Sequence, residues 1–404
     1  MADEGWSRRE FLETAGRCGV LLASGSVVPC VNAGTSTPGL LRAAPVARYW
    51  ISTATAKTVD ACRSCHDAET VAAAADHVHE KVVVRCELCA RRCLLADGER
   101  GMCRARINDG GTLRSLVYGR PMSIHVDPIE KKPFYHFLPG SAAYSLCTSG
   151  CPLRCKFCQN WEISQSRPED YTSPQVAPAS IVKGATARGA EVIAFTYNEP
   201  TVFMEYLTDI AREAKEAGRR SVLISCGYMN EAPLSEMCEV LDAIKIDLKG
   251  FDEDFYRKVC DAELKHVLRS IKQVARAGVH LEIVNLVVPT LNDSPKQLDE
   301  LARWVAGEVG PDVPVHFTRF HPDYRLRNLP PTPVATLEKA RETAMKHGIH
   351  YAFVGNVPGH PGNHTYCPGC GEVVIRRSGF FVREVRIESG HCMSCRTKIR
   401  GVWS

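Results

Sequence analysis

An α/β fold is predicted for this chain: a partial (β/α) barrel with small N-terminal and C-terminal four-cysteine metal modules. Three observations predict it. Residues 141–355 alternate short apolar runs with helical patterns, and such alternation builds a parallel sheet with right-handed crossovers. The 19 cysteines fall into close pairs and triplets rather than an even scatter, which favours metal sites over disulfides, as does their odd count. A cysteine triplet follows closely on the first apolar run, and barrels of this kind keep their chemistry at strand C-terminal ends.

In chain order, Ser7-Arg8-Arg9-Glu10-Phe11-Leu12 fits the twin-arginine export pattern. The apolar stretch Gly19 to Val31 follows, and Val31-Asn32-Ala33 offers a small-residue cleavage site, so 1–33 reads as a twin-arginine-type signal. The plainer reading is an amphipathic tail with a chance arginine pair. Cys30 is a weak lipid-attachment site because Pro29 precedes it. The apolar stretch is too short to span a membrane, and no other segment comes near that length. Residues 34–80, rich in Ala, Ser, Thr and Pro, read as linker and insertion. They contain Cys62-Arg-Ser-Cys65-His66, the form of a c-type haem attachment, with His77 or His79 as the other axial ligand. A zinc or redox-dithiol role ranks above haem, since five residues match easily by chance.

Residues 81–140 form the N-terminal module, in which Val82-Val83-Val84 reads as a strand leading to Cys86. The barrel, 141–355, has strand candidates at Ala142–Leu146, Val192–Thr196, Ser221–Ser225, Ala243–Leu248, Leu281–Val288, Val315–Arg319 and His350–Val354. Helical patterns lie between them near Ala179–Arg188, Thr201–Ala217, Leu234–Leu241, Leu264–Ala277, Lys296–Val309 and Val334–His347. Residues 356–404 form the C-terminal module, and no repeat of solenoid period is present.

Cys151, Cys155 and Cys158 offer three thiolates at C-x3-C-x2-C spacing, which suits an iron–sulfur cluster. Three cysteines hold three irons of a cubane and leave the fourth open to a substrate or cofactor. Cys147 lies four residues earlier; it reads as a buried thiol on an apolar strand, not as a ligand. Cys367-x2-Cys370 and Cys392-x2-Cys395, 21 residues apart, fit a tetrahedral zinc ribbon, tightened by Gly369 and Gly371. The same spacing takes a single iron, and disulfides are the alternative in an exported chain. For Cys86, Cys89, Cys93 and Cys103, zinc is slightly favoured over a second iron–sulfur cluster, and spacing alone does not decide.

Four strings carry a family resemblance: His125-Val-Asp-Pro-Ile-Glu-Lys-Lys-Pro-Phe-Tyr-His136-Phe-Leu-Pro-Gly140, Cys155-Lys-Phe-Cys-Gln-Asn-Trp-Glu-Ile-Ser164, Thr196-Tyr-Asn-Glu-Pro200 and Val354-Gly-Asn-Val-Pro-Gly-His360. With the strand–cysteine loop–βα order, they resemble the radical SAM superfamily, and within it the radical SAM protein of the AmmeMemoRadiSam system, a group similar to pyruvate formate-lyase activating enzymes. The similarity runs from about Val82 to the C-terminus. It implies a radical SAM barrel with a [4Fe-4S] cluster on Cys151, Cys155 and Cys158 as the catalytic centre. S-adenosylmethionine would chelate the open iron and be cleaved by one electron to a 5′-deoxyadenosyl radical that takes a substrate hydrogen. Phe157 matches the aromatic between the second and third cysteines. Asn198, Glu199 and Pro200 stand where the family's Gly-Gly-Glu-Pro-like motif meets the methionine amino group, with Tyr197-Asn198 in place of the glycines. The alternative for Glu199 is a helix N-terminal carboxylate before Pro200. Asp247 and Lys249 resemble a cofactor-contacting Asp-x-Lys pair, or form an ordinary ion pair. His321 resembles a histidine near the adenosine or substrate, or is structural.

The implied partners are a low-potential electron donor, a small-molecule, peptide or protein substrate, and the twin-arginine machinery if the signal is used. The runner-up function is a multi-centre iron–sulfur electron-transfer protein that does not use SAM. A formal net charge of +4 and no basic stripe speak against nucleic acid. Location stays open: the signal points to the periplasm, whereas SAM and its reductant are cytoplasmic.

Overall fold

The computed structural model describes residues 37–52 and 83–404. The twin-arginine stretch, Cys30, the Cys62-Arg-Ser-Cys65-His66 string, His77 and His79 lie outside the described residues.

Part of the stretch expected as linker is built into the fold. Residues Thr37–Arg42 form a short helix, and β1 (Trp50–Ser52) pairs antiparallel with β2 (Val84–Cys86), which pairs in turn with β3 (Leu94–Leu95). A hairpin of β4 (Arg106–Asp109) and β5 (Thr112–Ser115) follows, turned by Gly110 and Gly111 at positive φ. Arg106 docks this module on the barrel. Its guanidinium is buried and pairs with Glu205, whose Oε1 also accepts the Arg48 backbone N–H at 2.8 Å.

The central sheet has eight strands in sequential order: β6 (Ser123–Pro128), β7 (Ala142–Cys147), β8 (Val192–Phe195), β9 (Arg220–Ser225), β10 (Ala243–Asp247), β11 (His280–Val287), β12 (Val315–Arg319) and β13 (Ala352–Gly355). From β7 to β13 every pairing is parallel, and each of the seven lies on one of the seven strand candidates. β6 was not foreseen. It pairs antiparallel with β7 in register, Ser123 opposite Cys147, and closes one edge. The sheet runs from β6 to β13 without joining those edges, so the barrel is open. β8 and β13 are buried at every residue, as strands covered on both faces must be.

The crossover helices are Pro178–Ala187, Met204–Glu216, Glu231–Val240, Leu264–Ala277, Pro295–Glu308 and Val334–Lys346. Local chemistry sets their ends. Ser294 caps the fifth, accepting from the Gln297 N–H ahead of Pro295 at the first turn. Gly278 ends the fourth in the left-handed conformation. That helix buries Leu264, Val267, Ile271 and Val274, a stripe at helical spacing. Among the described residues no helix is long and apolar enough to cross a membrane.

The C-terminal module comprises the sheet of β14 (Thr365–Tyr366), β15 (Val373–Ser378) and β16 (Phe381–Val385), and the pair β17 (Ile387–Glu388) and β18 (His391–Cys392). It is fastened to the barrel by Arg377, fully buried, which donates to the Tyr135 and Asn363 carbonyls and to Thr365 Oγ1 and lies 4.1 Å over the Tyr135 ring. Tyr135 and His136 in turn donate their backbone N–H groups to Glu282 on β11. Glu282 also takes hydrogen bonds from His280 and His316, and these partners outweigh its burial and hold it well below the usual carboxylate range.

Candidate active site

A cavity of about 330 Å³ opens at the C-terminal ends of the parallel strands, the size of a ligand pocket and the place where such sheets bind. The loop after β7 brings Cys151, Cys155, Phe157 and Cys158 to its wall. β8 leads to Asn198 and Glu199, β9 to Ser225 and Cys226, β10 supplies Lys245 and Asp247 with Lys249 just beyond, and β12 supplies His316 and Thr318. The cysteine loop can turn so tightly because Gly150 has φ +96°, and a Cβ there would lie 2.2 Å from the Cys103 carbonyl oxygen.

Cys155 is buried, and Cys151 and Cys158 are half-buried. Burial pushes the Cys158 thiol up to about 11 and the Cys151 thiol well above its ordinary value, the latter reinforced by Glu199 and Cys155. Cys155 is lowered, first by a hydrogen bond from Cys260 and then by Lys249 against the effect of burial. The three sulfurs do not converge on one point. Among the described residues only the C-terminal quartet gathers at least three metal-binding atoms all within 4.8 Å of one another. Three pocket thiols held further apart suit separate irons of a cluster, not one ion. Cys147 is wholly buried in β7 and absent from the cavity wall, and burial raises its thiol to about 12.

The residues beside the triplet form a tight network. Glu199 is buried; its Oε1 accepts from Thr201 Oγ1 at 2.5 Å and Ser225 Oγ at 2.8 Å, and its Oε2 from the Cys226 N–H at 2.7 Å. Asn198 donates to the Gly150 carbonyl at 2.8 Å, while its Oδ1 is buried without a partner. That orphaned acceptor on the cavity wall fits an ammonium group of a bound cofactor. Tyr197 takes the left-handed φ of +70° that a glycine would supply freely. Its hydroxyl donates to Asp127 and its carbonyl accepts from Asn160, which together hold the strained backbone. Asp247 is flanked by Lys245 and by Lys249 at 3.2 Å; burial would raise it, but the two ammonium groups hold it at about 2. Lys249 also stands 5.8 Å over the Phe157 ring, which places the loop aromatic beneath a fixed positive charge.

Pro200 is buried at the start of a single 3-10 turn, Pro200–Phe203, and does not line the cavity. His321 is exposed and likewise off its wall. The cavity holds residues that sequence reasoning passed over. Lys245 was legible: alternation along β10 puts it on the face of Asp247. Lys132, its ammonium bound to Asp127, and His316, bound to Glu282 at 2.6 Å, carry no local signal. Neither does Cys226, nor Phe380, which the C-terminal hairpin brings in from far along the chain.

The C-terminal quartet is assembled. Cys367 and Cys395 Sγ are 3.5 Å apart and Cys370 and Cys392 Sγ 3.8 Å, with all four within 4.8 Å. Bonds of about 2.3 Å from one tetrahedral ion put sulfurs about 3.8 Å apart, far beyond a disulfide. A Cβ at Gly369 would lie 2.2 Å from Thr397 Oγ1, so the knuckle needs glycine there.

Comparison with known proteins bears on the family. The model of the radical SAM superfamily matches residues 145–305. An uncharacterised protein of Methanocaldococcus jannaschii is 43% identical over 318 residues, 78% of this chain and 95% of that protein. The pyruvate formate-lyase-activating enzyme of Clostridium pasteurianum is 25% identical over 194 residues, 45% of this chain and 80% of that protein. Among solved structures, a radical SAM methyltransferase from Sphaerobacter thermophilus matches with a TM-score of 0.43 and 15% identity, over 55% of this chain and 67% of that one. With a cysteine loop at the mouth of an open parallel barrel and a close relative matched over nearly its whole length, the chain belongs to the radical SAM superfamily.

Proposed function

We propose that this radical SAM enzyme holds a [4Fe-4S] cluster on Cys151, Cys155 and Cys158, binds S-adenosylmethionine beside it, and acts on a hydrogen of a peptide or protein substrate. The observation that carries the reading is the trio of cavity-lining thiols too far apart for one ion, next to the unpartnered Asn198 Oδ1. When bound, the cluster supplies the low-potential electron that opens the sulfonium C–S bond.

The chain's own residues position and shield. Asn198 presents an acceptor for the methionine ammonium, and Glu199 pins the β8 and β9 ends through Ser225 and Cys226. Lys249 keeps positive charge beside the thiolates, and Asp247 fixes Lys249 in place. The protein-substrate reading is supported by relatives named as activating enzymes. On the four strings quoted above, the chain is the radical SAM member of an AmmeMemoRadiSam-type system.

The test is anaerobic reconstitution followed by dithionite and SAM, with 5′-deoxyadenosine as the readout. Wild type and Cys226→Ala are expected to yield it, and Cys158→Ala to yield none. A fully loaded wild type that leaves SAM intact would sink the reading.

A further inference from the structure

Cys86, Cys89, Cys93 and Cys103 form a second group of sulfurs. Cys86 and Cys103 are buried, and each thiol lies within electrostatic reach of the others. Yet no three of these sulfurs close to within 4.8 Å of one another, as the C-terminal quartet does. Gly101 lies between the chain positions of Cys93 and Cys103, and a Cβ on it would stand 3.8 and 3.6 Å from their sulfurs. A single tetrahedral ion would gather its four sulfurs to about 3.8 Å of one another, closer than this group is held. Arg106 points Nη1 at Cys86 Sγ from 3.8 Å inside the module. Hydrogen bonds to sulfur and exclusion of solvent tune an iron–sulfur potential; a redox-inert ion has none to tune.

The group touches the catalytic loop. The Cys103 carbonyl packs against Gly150, one residue before Cys151. Arg154 donates to the Cys151 carbonyl at 2.7 Å and to the Met102 carbonyl, and Arg91 reaches the Pro152 carbonyl at 2.9 Å. An open cleft beside Cys103 is lined by Arg104, Arg154 and Arg167 together with the ion pair of Arg100 and Glu169, 2.7 Å apart. The cleft concentrates positive charge on a chain whose formal net charge is only +4.

We propose that Cys86, Cys89, Cys93 and Cys103 hold a second [4Fe-4S] cluster, which accepts electrons from an acidic one-electron carrier protein docked in the arginine cleft and passes them to the triplet site. The relay rests on the function proposed above; the identity of the second cluster does not. One electron leaves the reduced carrier, which departs oxidised by one electron, and one electron reaches the triplet site. No proton moves and no bond breaks in the relay.

Metal and sulfide analysis with Mössbauer and EPR spectroscopy of the full chain, reconstituted anaerobically, tests the site. Two cubanes give about eight irons in the wild type. The Cys151→Ala/Cys155→Ala/Cys158→Ala variant is expected to keep about four, with the signal of a reduced cubane. About four irons in the wild type, with zinc in the N-terminal site, overturns the proposal even if the variant does not fold. Two clusters without SAM cleavage would defeat the enzyme reading alone; SAM cleavage with one cluster would defeat this one alone. Docking is read as the ratio of reduction rates with a flavodoxin-type acidic donor and with dithionite. Arg104→Glu/Arg167→Glu is expected to lower that ratio about tenfold at low salt, and an unchanged ratio rejects the cleft.

Discussion

His136 shows how one buried side chain sets a pH response. Its Nδ1 faces the Arg400 carbonyl at 2.7 Å and so must donate, which leaves Nε2 to accept from Thr365. Burial drives its pKa from the ordinary 6.5 to about 3. Between those values the unfolded chain binds a proton that the folded chain refuses, so stability falls as pH drops across the window, by about 1.4 kcal/mol per unit. His136→Gln is expected to flatten that slope in urea titrations between pH 6.5 and 4 relative to wild type. Asn198→Ala removes the orphaned acceptor and is expected to weaken SAM binding by about 1.5–3 kcal/mol, tenfold or more, by calorimetry on the reconstituted protein. Tyr197 shows the reach of a motif. It stands where the resemblance puts a glycine, and its own backbone is left-handed, held by Asp127 and Asn160, which no spacing rule connects to it.

At the scale of elements, the contact between the N-terminal module and the barrel rests on few groups. Gly150 leaves no room for a side chain against the Cys103 carbonyl, and its φ of +96° is strained for any other residue. Gly150→Ala is expected to displace the cysteine loop and lower the iron retained after desalting, with secondary structure by circular dichroism kept. Arg106 and Glu205 are an ion pair with side chains 1% and 6% exposed. Glu205→Gln leaves a buried guanidinium without its counter-charge and is expected to cost about 3–5 kcal/mol in denaturant unfolding. The seven parallel strands were legible because each is an apolar run bounded by turn residues and followed by a helical stripe. β6 was not, because Ser123-Ile-His-Val-Asp-Pro128 mixes polar and apolar residues at a half-exposed edge; its pairing with β7 makes it a strand.

Over the whole molecule, the C-terminal module reaches back across the chain. Arg377 joins it to Glu130 and to Tyr135, and through the Tyr135 N–H to Glu282 on β11, and Phe380 enters the cavity wall. Removing metal from the Cys367, Cys370, Cys392 and Cys395 site with a chelator is expected to loosen more than residues 365–404. Hydrogen exchange should rise at Tyr135 and His136 as well; protection unchanged there would show that the module folds apart from the barrel. The cysteine spacings by themselves determined which residues group together, and the strand–helix alternation determined an open parallel barrel, because ligand spacing and hydrophobic period are properties of neighbouring residues. Only the tertiary structure decided how tightly each cysteine group closes and which charges stand beside the triplet. Those follow from contacts between segments far apart in sequence — Gly150 on Cys103, Lys249 over Phe157, Arg377 on Tyr135 — and burial creates them only once the chain is folded.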